Sequence, residues 1–330
     1  MEAFAVTEHP CFSREAARRY GRLHLPVAPA CNIECRYCSR EYDCPNESRP
    51  GVTSRLLTPE EAAARVAEVV KRDPRIRVVG IAGPGDPLAS VATLETLRLV
   101  HARFPQLIKC VSTNGLLLAD YVPQLKAFGV RTVTVTVNAV DPAVGAAIYA
   151  GVRWGGAVYR GMEAATLLWS RQAAGIAEAV RAGLRVKVNA VFIPGVNGHH
   201  LPVVARAVAG LGVYMMNIMP LIPLAGFAHL APPGPKEIAF VRTVCRQYVP
   251  QMDWCRQCRA DAVGLLHAAG GKTGSLRHLK RFALWGSFFA CAVVCRRHPA
   301  GRGAGAGGGL QHEGKGPHCP AAGPRGCVPD

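Results

Sequence analysis

The chain has 330 residues, 13 cysteines and 39 Lys+Arg against 22 Asp+Glu, a formal charge of +17. With 49% hydrophobic residues it can bury the core of one large domain or two ordinary ones. That content excludes a wholly disordered chain, and the length excludes a small disulfide scaffold. The thiols are therefore read as metal ligands, catalytic groups or buried side chains of a cytoplasmic protein.

The start, MEAFAVTEHPCFSREAARRY, carries acids early and no apolar stretch, so no signal peptide is expected. From there the chain alternates between short β-branched runs and helical patterns. Strands are expected at His24–Ala30, Val78–Ala82, Leu107–Thr113, Thr132–Asn138, Arg185–Ile193 and Val213–Leu221. Thr58-Pro59-Glu60-Glu61 opens a helix with a cap, a first-turn proline and early acids. Further helices are expected at Val91–Arg103, Asp120–Phe128, Glu163–Ala182 and His200–Leu211, the last two stopping at Gly183 and Gly212. Six strands each followed by a helix are parallel βα units, and apolar runs such as VTVTV call for burial on both faces. A partial or full barrel and an open doubly wound sheet both satisfy the pattern. The unusual residues follow the strands, where the loops of a βα barrel share one face. Past residue 266 the composition breaks. Residues 267–330 hold nine Lys/Arg against two acids, +7 of the +17, and the last thirty hold ten glycines without hydrophobic periodicity. A disordered, solvated tail is expected there. Its apolar run Phe282 to Cys295, 14 residues, is short for a membrane span.

Cys31-x3-Cys35-x2-Cys38 is the sharpest signal. Three thiolates on one loop hold three corners of a [4Fe–4S] cube and leave one iron open, whereas structural zinc closes with four ligands. This spacing after a first barrel strand resembles the radical S-adenosylmethionine (SAM) superfamily, with Tyr37 in the aromatic position beside the last cysteine. Cys11, Cys44 and Cys110 form a second group, with His9 and His24 available. Read singly each is a buried thiol, and as a set around the cluster loop they point to a second cluster. Cys110 shares its strand face with Ser112 and Asn114 and so looks into the barrel. Cys255-x2-Cys258 is a third group that two thiolates alone do not close. Cys245 falls in a helical pattern and reads as core. Cys291, Cys295, Cys319 and Cys327 are read as incidental.

HPCFSREAARRYGRLHLPVAPACNIECRYCSREYDCPNESRPGV resembles the N-terminal signature of the radical SAM maturases of the nitrogenase cofactor. IAGPGDPLA, STNGL, VTVTVNAVDPAVGAAIY, RVKVNAVFIPGVN, IMPLIPL and CRQCRADAVGLL resemble that family's later blocks in the same order, over roughly residues 9 to 266. The resemblance implies an α/β fold: a partial (βα)6 TIM-like barrel at 24–234, cluster-binding extensions at 1–23 and 235–266, and the disordered tail.

It further implies that Cys31, Cys35 and Cys38 hold a [4Fe–4S] cluster whose open iron chelates exchangeable SAM. Gly83, Gly85 and Asp86 correspond to the motif for the SAM amino group. Asn114, Asn138 and Asn189 sit where polar side chains hold its ribose or carboxylate, or equally where they cap strand ends. Two further [4Fe–4S] clusters are implied as substrates, one on Cys11, Cys44, Cys110 and His24, the other on Cys255 and Cys258. Glu47 and Arg49 are implied near the chamber as proton carrier and anion contact.

The implied reaction fuses the two clusters around a SAM-derived carbide. The implied partners are an iron–sulfur donor scaffold, a cofactor carrier and assembly scaffold of nitrogenase, and a ferredoxin or flavodoxin electron donor, with no nucleic acid and no membrane. Two departures stand out. Gly198-His199-His200 replaces a stretch where the family commonly has an acid, and nothing after His267 resembles the NifX-type carrier domain. Three competing readings are a peptide-modifying radical SAM enzyme, a non-enzymatic iron–sulfur carrier and an RNA-modifying enzyme. The first fits poorly because Cys11 and Cys44 bracket the triad, and the second because a carrier needs no glycine loop over a chamber. The third lacks any RNA-binding module.

Overall fold

The computed structural model describes residues 6–39, 41–45 and 55–266. The expected tail at 267–330, with its apolar run, and the candidates Glu47 and Arg49 lie outside them. In chain order the elements are α1 (Ala16–Arg19), β1 (Gly21–His24), β2 (Ile33–Cys35), α2 (Pro59–Arg72), β3 (Ile76–Ile81), α3 (Val91–Arg103) and β4 (Ile108–Thr113). Then come α4 (Leu118–Ala127), β5 (Val130–Thr136), α5 (Pro142–Ile148), β6 (Tyr149–Trp154), β7 (Ala157–Tyr159), α6 (Gly161–Arg181) and β8 (Arg185–Phe192). The series ends with α7 (Leu201–Gly210), β9 (Met215–Pro220), α8 (Pro235–Cys245) and β10 (Val263–Leu265).

One seven-stranded sheet runs in the order β10-β1-β3-β4-β5-β8-β9. Its five pairings from β1 to β9 are parallel, and β10 adds to the β1 edge antiparallel. Each parallel strand is followed by a helix, so the six βα units form the curled half-barrel of a partial TIM-like fold. The alternation along β5 shows how its two faces are used. Val133 and Val135 are fully buried in the main apolar core with helix residues such as Val122, Leu125 and Ile176, while Thr132, Thr134 and Thr136 are buried on the opposite face. The expected capping box is present on α2: Thr58 accepts from the Glu61 amide at 3.2 Å and Glu61 accepts from the Thr58 amide at 2.9 Å. Gly183 and Gly212 adopt φ of 85° and 80° just past α6 and α7, the left-handed stop expected of them.

The first strand departs from expectation. It spans Gly21–His24 rather than His24–Ala30. Pro26 and Pro29 lack amide donors, so past His24 the ladder shrinks to the Leu25 amide on Gly80 O at 2.9 Å and an isolated bridge between Ala28 and Pro84. Carbonyls of this stretch serve the next loop: Ala28 O accepts from the Gly85 amide at 2.5 Å and Ala30 O from the Asp86 amide at 2.7 Å.

A small antiparallel sheet, β2-β6-β7, is also new. Its hairpin β6–β7 turns on Gly155 and Gly156, at φ 57° and 81°. Glu34 and Cys35 of β2 lie opposite Gly151 and Tyr149 of β6, so the hairpin buttresses the cysteine loop. α5, capped by the Asp141 carboxylate at 2.8 Å from the Ala143 amide, leads into it.

Gln172 of α6 reaches the ends of two strands. Its Nε2 donates to Asn114 O at 2.8 Å and to Thr136 O at 2.9 Å, all buried. Replacement by Leu strands two buried acceptors, and the expected loss is about 3 kcal/mol. Urea unfolding of the metal-free protein measures it, and an unchanged midpoint would contradict the role.

Candidate metal centre

Cys31, Cys35 and Cys38 follow β1 in one short segment and form no disulfide, Cys35 buried and the other two partly exposed. The loop is pinned from below by the hairpin and from the side by the end of β4. Asn114 Nδ2 donates to Asn32 Oδ1 at 2.6 Å and lies 3.9 Å from Cys31 Sγ, while its Oδ1 accepts from the Leu116 amide at 2.9 Å.

Behind it stands Asp86, 3% exposed. Its carboxylate accepts from the Leu88 amide at 2.9 Å, from Thr113 Oγ1 at 2.9 Å and from the Asn114 amide at 2.6 Å. Burial pushes its carboxyl up, and the bonds from Asn114, Thr113 and Leu88 pull it back. These donors make Asp86 the joint between the loops after β3 and β4. Gly85 has an equally local reason: a Cβ there would lie 2.1 Å from Ala30 O. Gly83 has φ 130° and precedes a cis proline.

The remaining sequence candidates divide. Tyr37 is fully buried, its hydroxyl accepting from Asn138 Nδ2 at 2.6 Å, and Asn138 Oδ1 accepts from the Val191 amide at 2.8 Å. Both belong to the packing beneath the cysteine loop. Cys44 sits beside Tyr37, its amide donating to Pro84 O at 2.8 Å. Asn197, not singled out from sequence, is fully buried and donates to Asn138 O at 3.0 Å and Val191 O at 2.9 Å. His200 occupies the place where an acid was expected. Its Nε2 accepts from the Val140 and Asp141 amides at 3.1 and 3.3 Å, a task a carboxylate would also perform.

The concave face of the sheet holds a cleft that opens to solvent. Alternate strand residues line it: Gly80 of β3, Cys110 and Ser112 of β4, Thr134 of β5, Lys187 and Asn189 of β8, and Asn217 of β9. The N-terminal segment adds His9 and Cys11, and the C-terminal segment adds Cys255, Arg256 and Cys258. His24 and Arg22 reach it from β1. Five sequence-predicted ligands, Cys11, His24, Cys110, Cys255 and Cys258, thus meet in one space, and no Asp or Glu is among the described residues that line it.

The two histidines are not equivalent. His24 Nδ1 lies 3.0 Å from Arg259 O, a carbonyl that only accepts, so Nδ1 carries the proton and the Nε2 lone pair stays free. Gly80 leaves room for that edge of the ring, since a Cβ there would stand 3.1 Å from His24 Cδ2. Burial and the Arg22 charge lower the His24 pKa to about 4, which keeps it neutral. His9 Nδ1 instead accepts from the Cys11 amide at 3.1 Å, so its Nε2 is the protonated donor. Only His24 is set up as a ligand. Burial pushes the Cys11 thiol up to about 12, with Lys187 opposing, and Cys258 ahead of Cys110 among the thiols that act on it.

Among the described residues no three His, Cys, Asp or Glu close on one point as a single metal ion requires. A cube that offers a separate iron to each ligand does not ask for that convergence, and the thiol-rich, carboxylate-free donor set fits one.

The comparisons agree with this architecture. Residues 25–208 match the model of the radical SAM superfamily. In fold the chain is similar to the crystal structure of Streptococcus suis SuiB, with a TM-score of 0.50 and 13% identity over 72% of this chain and 51% of that one. Fold and cysteine loop define a member of the radical SAM superfamily, whose cofactors are a [4Fe–4S] cluster and SAM.

Among curated relatives, the FeMo cofactor biosynthesis protein NifB of Klebsiella pneumoniae is 47% identical over 81% of this chain and 58% of that protein. The NifB of Methanocaldococcus jannaschii is 46% identical over 81% of this chain and 89% of that protein. The chain belongs to the NifB family. It spans less than two thirds of the length of bacterial relatives such as the Klebsiella protein. Among the described residues no helix is long and apolar enough to cross a membrane.

Two outcomes follow. Gly85→Ala must displace the loop from Ala30, with an expected cost of about 3 kcal/mol in denaturant unfolding and no effect on helix content. Burial lowers the His200 pKa, with Asp141 opposing and His199 assisting. The unfolded state therefore takes up that proton first, so the stability His200 contributes is present above its unfolded value near 6.5 and lost as pH falls below it. His200→Ala should flatten the unfolding midpoint against pH in that window, and a parallel profile would contradict the assignment.

Proposed function

We propose that the chain is a SAM-dependent maturase that joins two [4Fe–4S] substrates around a SAM-derived carbon, yielding the iron–sulfur–carbon core precursor of the nitrogenase cofactor. The observation that carries this reading is the cleft. It brings Cys11, His24, Cys110, Cys255 and Cys258 into one volume on the concave face of a sheet whose rim carries the Cys31, Cys35, Cys38 loop. A carrier of single clusters has no use for two extra donor groups inside a barrel. A peptide-modifying enzyme would need that volume for peptide.

Cys31, Cys35 and Cys38 would hold the resident cluster, which would supply the electron for reductive cleavage of SAM. The chain positions and encloses. The GPGDP loop brings its backbone against the cysteine loop, and Asp86 fixes it there, on the side proposed to meet the SAM amino group. Asn189, hydrogen-bonded to Asn217 at 3.2 Å, offers a polar group in the wall between rim and cleft. Trp254 Nε1 donates to Pro10 O at 3.0 Å and sets the Cys11 segment against the one bearing Cys255 and Cys258, so we group these three for one substrate cluster, in place of the expected grouping of Cys11 with Cys110. His24 and Cys110, with Cys44 on the neighbouring loop, serve the other. Glu47 and Arg49 would handle protons and anions at the rim. A two-thiolate-plus-one site suits a cluster that must leave. Donor scaffold, cofactor carrier and a ferredoxin or flavodoxin are the partners this chemistry requires, with neither nucleic acid nor membrane.

Anaerobic reconstitution, iron analysis and a SAM-plus-dithionite assay test the proposal. The expected result is about twelve iron per chain, three cubes, and formation of both 5′-deoxyadenosine and S-adenosylhomocysteine. Iron near about four, one cube, or deoxyadenosine without S-adenosylhomocysteine, overturns it. Cys31→Ala should abolish SAM cleavage and leave the signals of the other clusters.

A further inference from the structure

The cleft contains two buried cations that no carboxylate answers. Arg22 is 1% exposed; Nη2 donates to Cys258 Sγ at 3.0 Å, Nη1 to Gly264 O, and Nε has no partner. Lys187 is 5% exposed, and its ammonium finds only the Met252 sulfur at 3.9 Å and the face of Phe12 at 5.5 Å. Neither forms an ion pair with any Asp or Glu among the described residues.

Elsewhere the same protein satisfies its buried cations. Lys109, fully buried, donates to the carbonyls of Phe104, Pro105 and Leu107 at 2.9–3.1 Å. An unpaired buried charge is costly, so its retention at two facing positions calls for a counter-charge that arrives with a ligand. The thiol positions nearest them identify that ligand's class. Arg22 touches Cys258, Lys187 stands 5.5 Å over the ring of Phe12, the residue after Cys11, and no carboxylate lines the cleft beside them.

We infer that Arg22 and Lys187 are the counter-ions of the thiolate-held iron–sulfur cluster bound at Cys11 and Cys258, an anion whose negative charge grows by one on reduction. They act through charge, holding the cluster in the barrel and easing its reduction, and they are positioning residues that ligate nothing. The inference rests on the cluster grouping proposed above. The neutral His9, whose Nε2 is buried without a partner, completes the lining as a hydrogen-bond donor toward cluster sulfide.

The test compares wild type, Lys187→Met and Lys187→Arg, all carrying Cys31→Ala, Cys35→Ala and Cys38→Ala so that the resident cluster is silent. Metal-free Lys187→Met should unfold at higher urea concentration than its parent, because an unanswered buried charge has been removed. Reconstituted, it should lose iron to a chelator about tenfold faster. Its clusters should also titrate by electron paramagnetic resonance at lower potential, by about tenfold in the reduced-to-oxidised ratio, or ~59 mV for one electron. Lys187→Arg should restore both.

A metal-free Lys187→Met that is less stable than its parent overturns the inference, since Lys187 would then be structural. So does a reconstituted Lys187→Met with unaltered potential and iron retention, or a Lys187→Arg that fails to restore them. If the parent itself holds no iron, the cluster grouping fails and the counter-ion role fails with it, whereas iron in the parent with an indifferent Lys187→Met overturns the counter-ion role alone.

Discussion

A buried carboxylate joins three loops at the rim of this barrel. Asp86 lies at the end of β3, yet its acceptors are filled by Leu88 on its own loop and by Thr113 and Asn114 at the end of β4. Asn114, so held, reaches Asn32 beside Cys31. The amide of Asp86 meanwhile binds Ala30 O, one residue before the cysteine triad. Removing a carboxylate from water is tolerable only when several donors replace the lost hydration. Here those donors are the groups whose positions matter to the cluster. The carboxylate that satisfies its own burial thereby fixes the geometry of the site.

Below the rim the logic reverses. Parallel strands buried on both faces supply the walls of the cleft with alternate side chains, and in most barrels those would be apolar layers. Here the inward positions include Val78 and Met219 but also Gly80, Cys110, Ser112, Thr134, Lys187, Asn189 and Asn217, which are too small or too polar to fill the space. The two ends of the chain close it. Trp254 donates to Pro10 O at 3.0 Å, and β10 pairs with β1, so the N-terminal segment bearing His9 and Cys11 is clamped to the segment bearing Cys255 and Cys258. Whatever binds in that space would link the stability of the loaded protein to its ligand.

Much of this was legible in the sequence, and the reasons differ by element. The six strands announce themselves because β-branched runs bounded by glycine, proline and asparagine have few other readings. The cysteine loop does so because its spacing is specific. The strand over His24–Ala30 misreads because Pro26 and Pro29 interrupt its apolar run, favouring extended backbone without donating to a ladder. The β6–β7 hairpin hides inside a stretch long enough for a βα crossover, although the alternation YAGVRW, the Gly-Gly turn and AVY carry the signal. Tyr37 and Asn138 were legible as conspicuous but not as partners, since their hydrogen bond closes across 101 positions of chain. Arg22 and Lys187 were illegible for a similar reason. A basic residue in a strand looks like any other until burial shows that nothing pairs with it.

The net charge takes its meaning from that distinction. Several cations of the body lie on helix surfaces beside acids, as in Arg65–Glu68, Arg98–Glu95 and Arg181–Glu178, where solvent and salt leave each pair worth little. Such residues raise a formal charge without marking a partner. Two unpaired cations inside a low-dielectric cleft contribute almost nothing to the total, yet each acts on a neighbouring thiolate with far less screening. An anion entering the barrel meets them, not the surface excess. The basic character that first suggests nucleic acid is therefore a poor guide to what this protein binds, and the cleft, whose lining has cations and no carboxylate, is the better one.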